Sequence, residues 1–468
     1  MKYIIKNQFA LRGWADAPYA IVHLNSGQMA PVSKLAFEAL LLCDGETEID
    51  SPRVITVSRN IITEFVKKNI VKKCENGEKL SRRQKYRHFE NEYVRAAHWS
   101  ITGLCNFKCR HCFLSAPSKL YGQLSTEKCL KIIDQLAKCG IMRVSITGGE
   151  PLVRPDLFVL LDEIKKKQIT VDQIYTNGSL VDENLLINLK KRQMNPMFSI
   201  SYDGIGWHDW LRGVKGAEKM AINAFDLLHS HGFEVDVEMC IHKWNKNVFE
   251  QSINLLIEHG VKSVKVGPVE NSGEWTKENK KHDLSREELF NLYLEYIPRY
   301  LDRGAPIGLQ MGSFFLCEKG SRKYSIPAEK FDGTKRTFDC RLCEHAKHNI
   351  YICSNGQLLP CMALGGIKNK LPKTYIFDMP LNKLLKSSKY LALLNNTVGD
   401  LCRNNPECNQ CRHKLTCGGG CRANALMANN NKYFGCDRVS CDIFKKGYIE
   451  KIKEAAQKGT QNNQSSKI

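Results

Sequence analysis

The stretch "HWSITGLCNFKCRHCFLS", residues 98–115, holds a short strand pattern followed at once by three cysteines. In an extended segment successive side chains point to opposite faces. His98, Ser100 and Thr102 therefore share one face, and Trp99 and Ile101 the other. Cys105, Cys109 and Cys112 follow with the spacing C-x3-C-x2-C. Three is an odd number of thiols. A structural zinc takes four ligands and a disulfide takes two. Iron–sulfur clusters are held by thiolates, usually four. Three thiolates on a four-iron cluster leave one iron with an open position, which can bind a small molecule. In α/β barrels such chemistry sits on the loops that leave the C-terminal ends of the strands, and this loop leaves one.

Working outward, the pattern repeats. Strand candidates "HWSIT", "RVSIT", "DQIYTN", "MFSISYDG", "EVDVEMCIH" and "SVKVGPVEN" alternate with helical segments at 125–138, 156–167, 182–192, 216–231 and 246–259, and a last helix lies near 285–302. Six strand–helix repeats predict a parallel sheet, open or closed into a barrel. A parallel sheet covered on both faces is apolar on both. Here Val144 and Ile146 oppose Arg143, Ser145 and Thr147, and Phe198 and Ile200 oppose Ser199, Ser201 and Asp203. Val235, Val237, Met239 and Ile241 likewise oppose Asp236, Glu238, Cys240 and His242. One polar face in strand after strand predicts a barrel with a helix-covered outside and a wet inner cavity.

On these residues the chain resembles the radical S-adenosylmethionine enzymes, whose signature is C-x3-C-x2-C after the first strand of a partial barrel. The resemblance implies that Cys105, Cys109 and Cys112 hold a [4Fe-4S] cluster whose open iron binds S-adenosyl-L-methionine for one-electron cleavage. It implies that His111 occupies the position before the third cysteine, usually aromatic. "TGGEPL", 147–152, stands where the family carries its Gly-Gly-Glu motif. Gly148, Gly149 and Glu150 would then receive the methionine ammonium, a carboxylate near a cation. Ser201, in "SISYDG", is expected at the amino-acid or ribose part, and Arg212, in "HDWLRG", at the carboxylate.

A second cysteine set lies downstream. "CNQCRHKLTCGGGC", 408–421, reads C-x2-C-x5-C-x3-C, and Cys343 through Gly356 to Cys361 reads C-x12-G-x4-C. The pair resembles the SPASM extension, which carries two auxiliary iron–sulfur clusters. That resemblance implies one cluster on Cys340, Cys343, Cys361 and Cys421. It implies a second on Cys408, Cys411, Cys417 and a late cysteine, Cys441 or Cys436, with Cys441 favoured. Cys353 is a competitor for the first. Paired zinc ribbons share the C-x2-C element but leave the Cys105 triplet and the Gly-Gly-Glu motif without a role.

The rest of the chain sets the context. It has 468 residues, 20 cysteines, 43% hydrophobic and 25% charged residues, and a net charge of +20. No apolar run is long enough to span a membrane. The N-terminus has no export pattern, so a cytoplasmic protein is expected, whose cysteines serve metal or redox chemistry. Lysines are scattered, consistent with a solvated basic surface or a face for acidic partners. Residues 1–94 read as strands, "KYIIKNQFALRG" and "YAIVHLNSGQMAPVS", then helices, "KLAFEALLLCDG" and one from an N-cap at Ser58. This resembles the winged-helix-like module that captures leader peptides by strand addition.

The expected fold is thus α/β: a partial (β/α)6 TIM-like barrel over 95–303, a winged-helix-like module over 1–94, a cysteine-rich SPASM region over 304–455, and a disordered tail from 456. The expected function is maturation of a ribosomally made precursor peptide with a leader, by hydrogen abstraction and formation of a sulfur-to-carbon thioether. Carbon–carbon crosslinking, epimerisation and formylglycine formation remain alternatives. Three [4Fe-4S] clusters, S-adenosyl-L-methionine and a flavodoxin- or ferredoxin-type electron donor are implied, with neither nucleic acid nor membrane as partner.

Overall fold

The computed structural model describes residues 1–75, 77–119, 121–277, 282–365, 373–386, 394–429 and 432–465, with the side chains of 117 and 461–465 left aside. The chain opens with β1 (Tyr3–Ile5), β2 (Phe9–Trp14), β3 (Ala17–His23), β4 (Met29–Pro31), α1 (Lys34–Leu41), α2 (Thr56–Lys67), β5 (Val71–Lys73) and β6 (Arg87–His88). One four-stranded sheet runs β4-β3-β2-β6, and β1 pairs with β5. Phe37, Leu40, Ile62 and Phe65 of the two helices form a separate small core with Leu11 and Ile21. Ser33 caps α1 through Ala36 N–H. The expected cap at Ser58 is not one. α2 begins three residues earlier, after Ile55, and Ser58 is buried inside it.

The large sheet follows. β7 (Ala96–Thr102), β8 (Arg143–Gly148), β9 (Thr170–Thr176), β10 (Met197–Ser201), β11 (Val235–Ile241), β12 (Ser263–Pro268) and β13 (Gly308–Met311) lie side by side, all parallel. Between them run α3 (Thr126–Lys138), α4 (Leu157–Lys166), α5 (Glu183–Lys191), α6 (His208–Arg212), α7 (Ala217–Ser230), α8 (Phe249–Glu258) and α9 (Arg286–Asp302). The sixth repeat therefore feeds a seventh parallel strand, β13. The antiparallel β14 (Phe315–Cys317) and β15 (Tyr324–Ser325) continue that edge. After the short helix α10 (Glu344–His348), β16 (Asn349–Ile352) pairs parallel to β7. β17 (Leu358–Leu359) closes the Asn355-Gly356 hairpin. The result is an eleven-stranded α/β sheet whose two edges are β15 and β17, a partial barrel.

The alternation has a physical cause. β11 reads buried, half-buried, buried along its length. Val144, Ile146, Ile174, Phe198, Ile200 and Val237 pack outward on Ile132, Leu136, Leu160, Leu186 and Phe225 of the helices. Each such side chain contributes roughly 1.5–3 kcal/mol by leaving water. The opposite face stays wet: Glu238 and Lys265, on inner strands, pair at 3.0 Å with side chains 37% and 53% exposed. Among the described residues no helix is long and apolar enough to cross a membrane.

The tail departs from expectation. Helix Tyr448–Ser465 runs well past 456. Ile449, Ile452, Ala455 and Ala456 are buried with the core, and Gly459 faces the Pro298 backbone of α9. An apolar stripe at helical spacing outweighs the polar composition. A short helix spans Leu381–Leu384; positions 387–393 lie outside the described residues.

Candidate active site

The loop after β7 is fixed by backbone bonds to neighbouring strand ends. Gly149 N–H donates to Thr102 O at 2.8 Å, and Glu150 N–H to Leu104 O at 2.9 Å. Arg110 N–H donates to Leu211 O at 2.9 Å, and Glu274 N–H to Cys112 O at 3.0 Å. The expected Gly148 and Gly149 are where β8 comes closest. A Cβ on Gly149 would stand 2.3 Å from Leu104 O, and one on Gly148 2.5 Å from Thr102 O. The Gly-Gly pair thus lets β8 clamp the cysteine loop.

The three thiols share one environment. Cys105 Sγ accepts from Phe107 N–H and Cys112 Sγ from Ala116 N–H, each at 3.3 Å. Arg212 Nη1 reaches Cys109 Sγ at 3.9 Å. Burial pushes the Cys105 thiol up to about 12, and Cys109, Glu150 and Cys112 each push it further. Burial likewise raises Cys109 and Cys112. Thiols so placed ionise when a metal supplies the missing positive charge.

Glu150 is fully buried. Its carboxylate accepts from Thr176 Oγ1 at 2.9 Å, Asn177 N–H at 2.8 Å and Leu152 N–H at 3.0 Å. All are neutral donors, and burial still raises its pKa to about 7. A buried carboxylate without a counter-charge, beside the cysteine loop, fits an incoming ammonium.

Arg212 carries a charged partner. Its guanidinium grips Asp203, Nε to Oδ2 at 2.6 Å and Nη2 to Oδ1 at 3.1 Å. Both side chains are buried. Burial alone would raise Asp203, but the Arg212 charge and the His208 bond hold it far below the carboxylate range. Arg212 thus ties the loop after β10 to Cys109. Asp203 also accepts Cys240 N–H at 3.0 Å, and Asn245 Nδ2 donates to Asp203 O at 2.6 Å. His111 lies within this group, its ligand atom within 4.8 Å of those of Asp203 and Cys240. Burial lowers its pKa to about 3. Ser201 ends β10 on the inner face, half-buried. Spacing alone did not single out Asp203, His208, Asn245 or Thr176, because their partners come from other strands.

The second cysteine set gathers in two groups. Burial raises Cys361 to about 12, with Cys421 and Cys343 adding to it, so these three are neighbours. Cys340 follows a short helix at Lys335–Asp339, its Sγ donating to Arg336 O at 3.5 Å. Cys353 is buried, and burial alone raises it. The other group, Cys408, Cys411, Cys417, Cys436 and Cys441, lines one cavity. Cys408 Sγ and Cys436 Sγ are 3.7 Å apart. Between the groups Gly418, Gly419 and Gly420 all have positive φ, +56°, +83° and +69°. This left-handed path is open to glycine, and it carries the chain from Cys417 to Cys421. Buried Asp437 accepts from Cys421 N–H at 2.8 Å and Ser440 Oγ at 2.7 Å.

With this geometry in hand, likenesses to known proteins can be placed. Residues 99–256 match the family model described as the Radical SAM superfamily. The antilisterial bacteriocin subtilosin biosynthesis protein AlbA of Bacillus subtilis is 26% identical over 353 residues, 73% of this chain and 70% of that one. The mycofactocin maturase MftC of Mycobacterium tuberculosis is 32% identical over 165 residues, 35% of this chain and 41% of that one. The chain therefore spans less than half of the latter relative. SuiB of Streptococcus suis, in a crystal structure with its precursor peptide SuiA, superposes with a TM-score of 0.63 at 18% identity, over 94% of this chain and 99% of that one. At that identity the likeness speaks for the fold.

Proposed function

We propose that this chain, whose residues 99–256 match the Radical SAM superfamily model, is a radical SAM enzyme that matures a ribosomally made precursor peptide by joining a cysteine sulfur to a peptide carbon. The observation that carries the reading is the pairing of three half-buried thiols on one loop with the fully buried Glu150 carboxylate, which accepts from neutral donors. Cys105, Cys109 and Cys112 would hold a [4Fe-4S] cluster. Gly148, Gly149 and Glu150 would hold the amino end of S-adenosyl-L-methionine, and Ser201 would line its pocket. Together these groups supply one-electron cleavage of the sulfonium, and with it a carbon radical strong enough to take hydrogen from a peptide. His111, Asp203 and Arg212 hold the loop in place around them.

Cys340, Cys343, Cys361 and Cys421, and Cys408, Cys411, Cys417 and Cys441, would hold two auxiliary clusters. Thioether formation removes one hydrogen from carbon and one from sulfur. The first leaves as a hydrogen atom. The second leaves as a proton, and its electron needs an acceptor, which an auxiliary cluster provides. A flavodoxin- or ferredoxin-type protein would supply the priming electron.

Residues 1–94 give the substrate class. β4 is an edge strand, paired only with β3 among the described residues. Alternation turns Met29 and Pro31 outward, since Val32 N–H bonds inward to Tyr19 O at 2.9 Å. An extended leader adding to that edge would lie against α2. AlbA and MftC are named for a bacteriocin and a maturation, and SuiB takes a precursor peptide; the same substrate class suits this chain.

The test is mass spectrometry of a small cysteine-containing peptide encoded beside the gene and co-expressed with this chain. A loss of about 2 Da per crosslink, with the thiol no longer alkylated, is expected from removal of two hydrogens. The same loss with a free thiol indicates a carbon–carbon bond, and unchanged mass indicates epimerisation.

A further inference from the structure

The leader edge and the cysteine loop lie at opposite ends of the large sheet. The N-terminal module docks where the strands begin. Asn91 Nδ2 donates to Cys139 O at 3.0 Å, just before β8. Arg143, the first residue of β8, donates to Ser26 O at 2.9 Å. Arg87 reaches Gln168, just before β9, at 2.8 Å. Arg83 reaches Thr170, the first residue of β9, at 3.3 Å. Cys105, Gly149 and Asp203 follow the ends of β7, β8 and β10. A peptide held on β4 must travel the length of the sheet to react.

The groove beside β4 points the way. It is lined by Met29, Pro31 and Phe65 of the module and continues past Arg95, His345 and Asn349. Those last three stand at the starts of β7 and β16, the N-terminal rim of the concave face. Beyond the rim, that face is polar, half-buried at Ser145, Gln173 and Glu238 and buried at Ser100, Thr102 and Ser199. His345 and His98 feel one another and Lys265, and Lys265 and Glu238 remain solvent-accessible on inner strands.

We infer that the precursor threads from β4, over the rim at His345, and up the concave face to the cysteine loop. This deepens the leader-docking reading and rests on it. The polarity follows. The Met29 end of β4 meets the rim, while Val32 leads toward α1. A leader whose C-terminal end heads for the rim therefore runs antiparallel to β4. The length follows too. β7 has seven residues, about 23 Å at roughly 3.3 Å per residue. An extended chain covers at most about 3.3–3.6 Å per residue. At least about seven residues must therefore separate the part of the leader on β4 from the first modified residue.

The experiment uses the reconstituted full chain and the precursor encoded by the neighbouring cysteine-containing reading frame, with spacers of three to fifteen residues between leader and core. Modification is expected to fall at least tenfold below about seven residues, with precursor affinity held within twofold. A photo-cross-linker midway along the spacer is expected to label β7–β12 on the concave face. Efficient modification across a five-residue spacer, or labelling of the outer helices α3–α9, would overturn the path. A separate arm reads the docking itself. Met29→Pro removes the outward N–H of β4, and a tenfold loss of leader affinity is expected. Unchanged affinity there would overturn the docking reading, and the path with it.

Discussion

Cys105, Cys109 and Cys112 stand on a loop stitched by main-chain bonds to β8, to α6 and to the segment after β12. Cys408 through Cys441 stand among helices of four to eight residues. There the chain is held by side chains instead: Asp437 to the Cys421 N–H, Asn405 Nδ2 to Phe434 O at 2.7 Å, and Arg422 Nη1 to Tyr433 O at 2.9 Å. The first region inherits its precision from a regular sheet. The second builds its own, so spacing names its ligands as a group without ordering them. Six cysteines line one cavity there, Cys402 beside Cys408, Cys411, Cys417, Cys436 and Cys441, where a cluster takes four.

The sharpest way to resolve that excess is iron analysis of single variants. Two thiolates on separate irons of one cluster stand further apart than the 3.7 Å between Cys408 and Cys436. Cys441→Ala is therefore expected to cost about four irons per chain, a whole cluster, and Cys436→Ala few or none. The reverse pattern would make Cys436 the ligand.

In the sheet-built region the largest stability effect should fall on Asp203. Asp203→Ala strands the buried Arg212 charge, at a cost of about 3–5 kcal/mol read by chemical denaturation. A loss below about 1 kcal/mol would mean that the pair is dispensable.

A smaller effect concerns Glu150. Burial lifts its pKa to about 7 from 4.5. The carboxyl is protonated below about 7, and an ammonium needs the carboxylate. Affinity for S-adenosyl-L-methionine should then weaken as pH falls, toward tenfold per unit below about 7. Calorimetric titration at pH 6 and pH 8 checks this. Glu150→Gln should flatten the dependence and weaken binding at pH 8 about tenfold.

Much of this was legible in residue order, for reasons that differ by element. β8 and β11 were readable because outward Val144, Ile146, Val237 and Met239 alternate with polar neighbours. β13 was not: it has four residues, and it is a strand only because β12 pairs with it. β16 was legible as the first arm of the Asn355-Gly356 hairpin, but its pairing with the distant β7 was not. The loop motif marked Cys105, Gly149 and Glu150, since local spacing and close backbone approach are properties of short sequence. The pairing of Arg212 with Asp203 was not legible, because it becomes visible only once α6 folds back over β10. The terminal helix was hidden by composition: Glu450, Lys451, Lys453, Glu454 and Lys458 make its exposed side polar, while Ile449, Ile452 and Ala456 are buried with the core.

The most direct measurement is made on the anaerobically reconstituted triple variant Cys105→Ala/Cys109→Ala/Cys112→Ala. Iron content and 5′-deoxyadenosine release are followed together under a strong reductant. The account predicts a loss of about four irons, retention of the auxiliary iron, and no nucleoside. Nucleoside released at the parent rate, with the first three thiols gone, would contradict it.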